Sequence, residues 1–240
     1  METLQNKHVV IAGATGGIGH ALAKLVHNSR AHVHLTGRDA ARLASLGDEL
    51  GLRDDRRHNL DVTDHEAVLA TAQRIEAATD GAGVDILVNA TGIGIIKPLE
   101  QLSYADFSRS IDVNLKGAFS LLQGFVPPMK ERKRGLIVNL PGVLGKTPMA
   151  GAAAYAASKY GLNGMLKSVR EELRRTEVRI TNLYLGGTDT AFWDEIDLRV
   201  QRDKFVTAEE AARSIWFLCQ QPSSGVVSEM VLQPFNHQAI

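Results

Sequence analysis

Short apolar runs recur along the whole chain, and the segments between them place apolar residues at helical spacing. Ile18, Leu22 and Leu25, for example, form one stripe along a predicted helix. Because predicted strands alternate with predicted helices, the pattern indicates βαβ units and a parallel sheet. The apolar runs predict seven strands, at residues 7–12, 31–36, 56–60, 84–89, 136–140, 178–183 and 226–233.

The most apolar run indicates a sheet that is covered on both faces. Ile86, Leu87 and Val88 follow one another without a polar residue, as is typical of buried parallel strands. Right-handed crossovers between such strands place helices on both sides of the sheet. We therefore predict an α/β fold of the Rossmann type, a doubly wound parallel sheet of about seven strands. No linker, repeat or low-complexity segment divides residues 1–240, which predicts a single domain.

Composition and charge narrow the functional classes. The 27 basic and 27 acidic residues balance, so neither nucleic acid nor an anionic membrane is predicted as a partner. The amino-terminal apolar run is too short for a signal peptide, and no apolar stretch is long enough to span a membrane. The single cysteine, Cys219, cannot form an internal disulfide, which favours a reducing compartment. A cytoplasmic location is expected.

Two other charged features predict no separate function. His32 and His34 flank Val33 and face one side of a strand, but no third ligand follows at a suitable spacing, so no metal site is predicted. The basic run at 130–134 ends a predicted helix, where it complements the helix dipole.

A glycine-rich turn follows the first predicted strand. Gly13, Gly17 and Gly19 lie between that strand and an apolar helix stripe. Glycines here allow a tight turn and let the backbone approach a pyrophosphate, while the helix start offers free N–H groups to phosphates. A dinucleotide is therefore the predicted ligand, although the same glycines would also suit a turn that binds nothing.

The end of the second predicted strand bears on which nicotinamide dinucleotide is bound. A site for NAD typically places a carboxylate here for the ribose 2′-hydroxyl, whereas an Arg accommodates the 2′-phosphate of NADP. Gly37 and Arg38 stand at this point, so NADP(H) is the predicted cofactor, with NAD(H) as the alternative. Arg38 could also be a solvated charge at a helix start.

Tyr155 and Lys159 are four residues apart in a predicted helix, so both side chains can enter one cleft. A free Tyr has a pKa of about 10, and a nearby ammonium lowers that pKa by favouring the phenolate. Tyr155 could then exchange a proton with a carbonyl or alcohol oxygen while a hydride moves at carbon. Pairs at this spacing also occur on ordinary helices, where the Lys stem covers apolar surface.

These motifs occur in a particular order along the chain: GATGGIG at 13–19, DV at 61–62, NATG at 89–92, DVNLKG at 112–117, YAASK at 155–159 and LGGTDT at 185–190. As a set they resemble the short-chain dehydrogenase/reductase family in its one-domain form, over essentially the whole chain. The resemblance implies one dinucleotide-binding and catalytic domain, and an oxidoreductase that interconverts a small-molecule carbonyl and alcohol. Ala90, Thr91 and Leu185 depart from the residues usual in the family.

The resemblance also implies roles for individual residues. Tyr155 would be the acid/base, Lys159 would lower its pKa and hold the ribose, and Asn114 would support a proton relay through water. Asp61 and Val62 would contact the adenine ring. The implied cofactor-binding residues are Gly13, Thr15, Gly17, Ile18, Gly19, Arg38, Asp61, Val62, Asn89, Ala90, Gly92, Tyr155, Lys159, Gly186, Thr188 and Thr190.

One position departs from the family in a way that bears on activity. Family members generally carry a Ser thirteen residues before the Tyr, where its hydroxyl binds the substrate oxygen; here that residue is Gly142, preceded by Pro141. Losing such a donor costs on the order of 10²–10³ in rate. A water, Thr147 or Thr91 could replace the hydroxyl, or the Pro-Gly pair could only shape a turn.

The remaining expectations also follow from the resemblance. The segment 191–204 would form a lid, in which Phe192 and Trp193 line an apolar pocket or pack beneath the lid. Segments 208–220 and 230–234 would pair subunits in a homotetramer or homodimer. Retention of the Tyr, Lys and Asn favours an active NADP(H)-dependent enzyme, whose activity Gly142 would make weak, substrate-assisted or dependent on an unusual donor. The alternative is a low-turnover NADP(H)-binding sensor or partner protein of the same fold.

Overall fold

The strands form one large parallel sheet and one small one. Residues 1–236, which the computed structural model describes, contain β1 (His8–Ala12), β2 (His32–Gly37), β3 (Arg57–Asn59), β4 (Ile86–Asn89), β5 (Arg134–Asn139), β6 (Glu177–Leu185), β7 (Thr188–Asp189), β8 (Val206–Thr207) and β9 (Glu229–Leu232). The large sheet has the order β3-β2-β1-β4-β5-β6-β9, and β7 pairs with β8. Every pairing is parallel, so the predicted seven-stranded doubly wound sheet is confirmed.

Helices cover both faces of the large sheet. They are α1 (Gly17–Asn28), α2 (Ala40–Glu49), α3 (His65–Ala77), α4 (Tyr104–Ile111), α5 (Gly117–Glu131), α6 (Ala153–Leu173) and α7 (Ala208–Cys219). Side chains alternate along β1, so Val9 and Ile11 pack with α1, α2 and α7, whereas Val10 packs with α3, α5 and α6. Burial on both faces explains why the strands are almost continuously apolar.

The strand order sets the position of the site. The chain moves outward from β1 through β2 to β3, then returns to the other side of β1 for β4. This reversal opens a crevice at the carboxyl ends of β1 and β4, where Ala12 pairs with Asn89. Ligands of doubly wound sheets bind at this switch point. Within residues 1–236, no helix has the length and apolar character needed to cross a membrane.

Candidate active site

A cleft of about 700 Å³ lies at the carboxyl ends of the central strands. It runs from the glycine-rich turn, past α6, to the segment that follows β7. Six of the predicted site residues do not line it: Gly13, Thr15, Asp61, Val62, Asn89 and Asn114. The other predicted site residues line it: Gly17, Ile18, Gly19, Arg38, Ala90, Gly92, Tyr155, Lys159, Gly186, Thr188 and Thr190.

The glycine-rich turn connects β1 to α1 at one end of this cleft. Gly13 has a φ of +83°, and a Cβ built on it would lie 2.8 Å from the carbonyl oxygen of Ala90. A Cβ on Gly19 would collide with the carbonyl of Gly13. Gly16 is the N-cap of α1 and makes no side-chain hydrogen bond, so no capping side chain occupies the free N–H groups at the start of the helix. The backbone is therefore open to an anion at this point.

Arg38 follows β2 and lines the cleft at the same end. Asn59 donates from its Nδ2 to the carbonyl oxygen of Arg38 at 2.9 Å, which fixes the turn. A Cβ on Gly37 would lie 2.8 Å from the Cγ2 atom of Thr15, so a longer side chain is disfavoured at position 37.

Asp61 and Val62 follow β3 near this end of the cleft. Partial burial acts to raise the pKa of Asp61, but hydrogen bonds from Thr63 and the charge of Arg38 hold it below its usual range. Val62 is buried behind Asp61, where its Cγ2 lies 2.7 Å from the position of a Cβ on Gly117.

Tyr155 and Lys159 share one face of α6, as their spacing predicts. Lys159 is buried, and its Nζ donates to the carbonyl oxygen of Leu140 at 3.0 Å. Burial lowers the pKa of Lys159 to about 8. Burial also raises the pKa of Tyr155, although the Lys159 Nζ lies 5.6 Å from the centroid of its ring. Burial is the cause of this raised pKa, and the expectation that Lys159 lowers the pKa of Tyr155 stays a prediction.

Asn114 lies in a π-helical turn, Asp112–Lys116, between α4 and α5. Such turns are frequent at functional sites. Its Oδ1 accepts from the backbone N–H of Ile93 at 2.9 Å, and its Nδ2 donates to the hydroxyl of Ser158 at 3.0 Å. A Cβ on Gly92 would lie 3.2 Å from Asn114 Oδ1 and 3.4 Å from Lys159 Nζ. Because Gly92 has no side chain, Asn114 and Lys159 can both approach the space beside it.

Gly142 faces the hydroxyl of Tyr155. A Cβ built on Gly142 would lie 3.7 Å from that hydroxyl and 3.5 Å from the carbonyl oxygen of Leu185. The backbone has a φ of +69° and a ψ of 166°, a combination that is essentially restricted to glycine. Of the three proposed replacements for a serine hydroxyl, which are a water, Thr147 and Thr91, neither threonine lies within 4 Å of this point. Thr91 already donates its hydroxyl to Asn89 Oδ1 at 2.6 Å, and Thr147 does not line the cleft.

The segment after β7 covers the cleft. The ring of Phe192 packs directly on the backbone of Gly94 and meets the ring of Tyr155 edge-on, with centroids 5.8 Å apart. Trp193 also lines the cleft, and its Nε1 donates to the carbonyl of Thr188 at 2.9 Å. Phe205 packs against Trp193 with a centroid separation of 5.1 Å. The two predicted alternatives therefore both hold, since Phe192 and Trp193 line the cleft while Trp193 also packs within the lid.

Arg202 ties this lid to the strand before it. Its Nε and Nη1 form ion pairs of 2.6 Å each with Asp189 and Asp194, and its Nη2 donates to the carbonyl of Thr190 at 3.0 Å. Sequence reasoning did not single out Arg202, Ser158 or Ile93. Ser158 lies inside the YAASK motif, which was its only local signal.

The fold and the cleft together define a nucleotide-binding type of α/β protein, with a glycine-rich turn at the switch point of a doubly wound sheet. The family model described as short chain dehydrogenase matches residues 7–201. The chain belongs to this family, whose members are oxidoreductases that bind nicotinamide cofactors and act on small molecules.

Relatives and solved structures agree over nearly the full length. Nodulation protein G of Rhizobium sp. (strain N33) is 30% identical over 239 residues, covering 96% of this chain and 96% of that protein. A metagenomic short-chain oxidoreductase in complex with NADP is 32% identical with a TM-score of 0.82, covering 97% of this chain and 99% of that one. An alcohol dehydrogenase from Thermococcus sibiricus, complexed with 5-hydroxy-NADP, is 26% identical with a TM-score of 0.86, covering 98% and 100%.

Proposed function

We propose that the protein is an NADP(H)-preferring oxidoreductase that interconverts a carbonyl and an alcohol, with Tyr155 as the proton donor and acceptor. The observation that carries this proposal is the presence of Tyr155 and Lys159 in one cleft, with Asn114 next to them at Gly92. Asn114 and Lys159 border Gly92, and the hydroxyl of Tyr155 borders Gly142 a short distance away. A hydroxyl and an ammonium in one cleft can orient an oxygen and transfer its proton.

The cleft has the shape that a dinucleotide requires. The turn at Gly13 and Gly19 has no room for side chains, and the start of α1 is not capped by one, which suits a pyrophosphate. At the other end, Lys159 could hold ribose hydroxyls next to Gly92. A bound nicotinamide dinucleotide would supply the hydride of the reaction. The residues of this chain would position it and handle the proton.

The preference for NADP(H) rests on Arg38 and Gly37. Thr15 crowds position 37, which disfavours a carboxylate there that would repel a 2′-phosphate. Arg38 lines the cleft beside that position and offers a planar pair of donors for phosphate. The two solved structures described above carry NADP or 5-hydroxy-NADP according to their descriptions, which supports the same choice.

In the direction of reduction, Tyr155 donates its hydroxyl proton to the substrate oxygen. The raised pKa of Tyr155 keeps this proton on the hydroxyl at neutral pH. Lys159, charged below pH about 8, stabilises the negative charge that Tyr155 acquires as the proton leaves. We assign Asn114 the role of holding the loop at Ile93 and the helix at Ser158 so that water can refill the proton.

A fluorescence titration with NADPH and NADH tests the cofactor assignment. We expect NADPH to bind at least tenfold more tightly, and Arg38→Ala to remove most of that difference. Arg175→Ala, which removes an exposed charge after α6, is the matched control and should leave the difference intact. Equal affinity of the unaltered protein for both dinucleotides would contradict the assignment.

Gly142 favours a second candidate, a protein that binds NADP(H) with little turnover. The cleft wall offers no side-chain hydroxyl opposite Tyr155, so one donor to the substrate oxygen is absent. Tight NADPH binding without consumption on any aldehyde or ketone would select this candidate. Consumption that depends on Tyr155 would select the enzyme.

We also propose that α7 and β9 form a subunit interface. β9 is an edge strand of the large sheet, and Val231 on it is 44% exposed. Phe217 on α7 is 47% exposed, and a hollow of about 620 Å³ lies between the two elements. Apolar surface of this kind is typical of homo-oligomers. Light scattering on the protein and on Phe217→Lys tests the proposal, since the variant should dissociate.

A further inference from the structure

The space in front of Gly142 is a notch in the wall of the cleft. Apart from the chain around Gly142 itself, the carbonyl oxygen of Leu185 and the hydroxyl of Tyr155 are the only described atoms within 4 Å of the point where its Cβ would lie. The notch therefore opens to the cleft and has room for one small group. Both atoms that border it are oxygens, so the group that fits must be polar.

The carbonyl of Leu185 is available as an acceptor. In the ladder between β6 and β9 the N–H of Gly186 donates to the carbonyl of Leu232, which turns the Leu185 carbonyl toward the opposite side. On that side the β5–β6 pairing has already ended, at Asn139 and Asn182, and no donor to the Leu185 oxygen is found among residues 1–236. A ligand that covers the cleft would bury this oxygen, and an unpaired buried carbonyl is costly.

The notch thus needs a hydrogen-bond donor from the ligand. A serine side chain would have supplied a donor toward the substrate, whereas the Gly142 notch offers an acceptor to it. The hydroxyl of Tyr155 lies at the edge of the same notch, so the ligand donor and the oxygen that Tyr155 protonates must lie close together on the substrate. In a carbonyl compound with a hydroxyl on the neighbouring carbon, only three bonds separate the two oxygens.

Building on the proposed function, we propose that the substrate is a carbonyl compound with a hydroxyl group on the neighbouring carbon, or the corresponding vicinal diol in the reverse direction. The hydroxyl fills the notch in front of Gly142 and donates to the carbonyl of Leu185. The carbonyl oxygen of the substrate then lies against the hydroxyl of Tyr155. The substrate itself thereby provides the positioning that a serine would otherwise give.

The other residues of the cleft wall indicate the chemistry of the second substituent on the substrate's carbonyl carbon. Several apolar side chains line the cleft, and an apolar or aromatic group suits them. They are Ile96, Val143, Leu144, Met149, Phe192 and Leu198. A site that pairs with a substrate hydroxyl discriminates strongly against the analogue that lacks it, because the analogue leaves the buried oxygen unpaired.

The test compares 2-hydroxyacetophenone with acetophenone, which differ only in the hydroxyl. For the unaltered protein with NADPH we expect kcat/KM to be at least tenfold higher for the hydroxy ketone. Gly142→Ala fills the notch with a methyl group and should reduce this ratio to about one. Gly51→Ala is the matched control, because Gly51 also has a positive φ, +61°, and has no neighbour within 4 Å. It should keep the ratio.

A binding measurement separates this proposal from the proposed function. In the presence of NADP⁺, calorimetry compares 1-phenylethane-1,2-diol with 1-phenylethanol, and we expect the diol to bind at least tenfold more tightly. Turnover of both ketones at equal kcat/KM would overturn the hydroxyl proposal and leave the oxidoreductase intact. Selective binding of the diol without any turnover would support the hydroxyl proposal and refute the proposed oxidoreductase activity. Equal binding of the diol and the alcohol without turnover would refute both the hydroxyl proposal and the oxidoreductase activity.

Discussion

The hydroxyl of Tyr155 lies 3.7 Å from the position that a Cβ on Gly142 would occupy. Position 142 is therefore opposite the proposed acid/base, where the family resemblance puts a serine. The backbone at this point has a φ of +69° and a ψ of 166°, which only glycine adopts without strain. The absent hydroxyl is thus built into the shape of the loop, and a change of one side chain does not simply restore it.

Gly142→Ser should consequently destabilise the protein. We expect a loss of roughly 1–3 kcal/mol in the free energy of unfolding, because serine is forced into a backbone region that disfavours a Cβ. Chemical denaturation measures the loss. Gly164→Ser is a control, since Gly164 lies within α6 with no neighbour within 4 Å of its Cβ position. A Gly142→Ser protein as stable as the parent would show that this loop relaxes freely.

The pKa of Lys159 predicts the alkaline limb of the pH profile. We expect kcat/KM for carbonyl reduction to fall as the pH rises through about 8, because Lys159 then loses the charge that assists Tyr155. The raised pKa of Tyr155 keeps its own titration out of this range. Lys167→Met removes an exposed ammonium from the same helix and should leave the fall of kcat/KM near pH 8 unchanged. A profile that stays flat up to pH 10 would refute the role given to Lys159.

The lid should depend on Arg202. Arg202→Ala removes both ion pairs, to Asp189 and to Asp194, and we expect KM to rise several-fold while kcat changes little. Limited proteolysis should cut the variant faster within 194–201. Lys204→Ala, an exposed change in the same segment, is the control. Unchanged KM and unchanged proteolysis in Arg202→Ala would mean that the lid is held by its aromatic contacts alone.

A buried histidine predicts acid sensitivity of the fold. Burial first, and then Arg56, His58, His8 and His32, lower the pKa of His34 to about 3. Arg56 Nη1 lies 2.9 Å from His34 Nε2, so that nitrogen must accept and the ring is neutral.

In the unfolded chain His34 titrates near 6.5, so below this pH the unfolded state binds the extra proton. The stabilisation is complete above pH 6.5 and is lost as the pH falls toward 3. At pH 5 the loss is about 2 kcal/mol relative to pH 7. His34→Gln should flatten the dependence of unfolding free energy on pH between 7 and 5. An equally steep dependence in the variant would assign the effect to other groups.

The sequence predicted the parts of the site that are local. The glycine turn needs only a strand, three glycines and a helix in succession, and Tyr155 and Lys159 need only the helical period. Each of these patterns lies within a few residues, so spacing alone fixes the relative positions of the side chains. The same holds for the central strands β1 and β4, since burial on both faces leaves a continuous apolar run in each.

Contacts between segments that are distant in the sequence could not be predicted from it. Arg202 meets Asp189 across the lid, and Asn114 binds the backbone of Ile93, which no pattern of spacing reveals. The two-residue strands β7 and β8 carry too few positions for an alternating pattern. The raised pKa of Tyr155 could not be predicted from the spacing of Tyr155 and Lys159, because burial depends on the whole surrounding structure.

The most direct test of the central claim is NADPH consumption with a panel of aldehydes and ketones, for the unaltered protein, Tyr155→Phe and Tyr160→Phe. Tyr160 lies on the same helix, and its hydroxyl binds the carbonyl of Lys146, so it controls for loss of a tyrosine hydroxyl. We predict turnover by the unaltered protein and Tyr160→Phe, and a loss of at least 10²-fold in Tyr155→Phe with NADPH binding retained. Consumption that persists unchanged in Tyr155→Phe would contradict the assignment of Tyr155 as the acid/base.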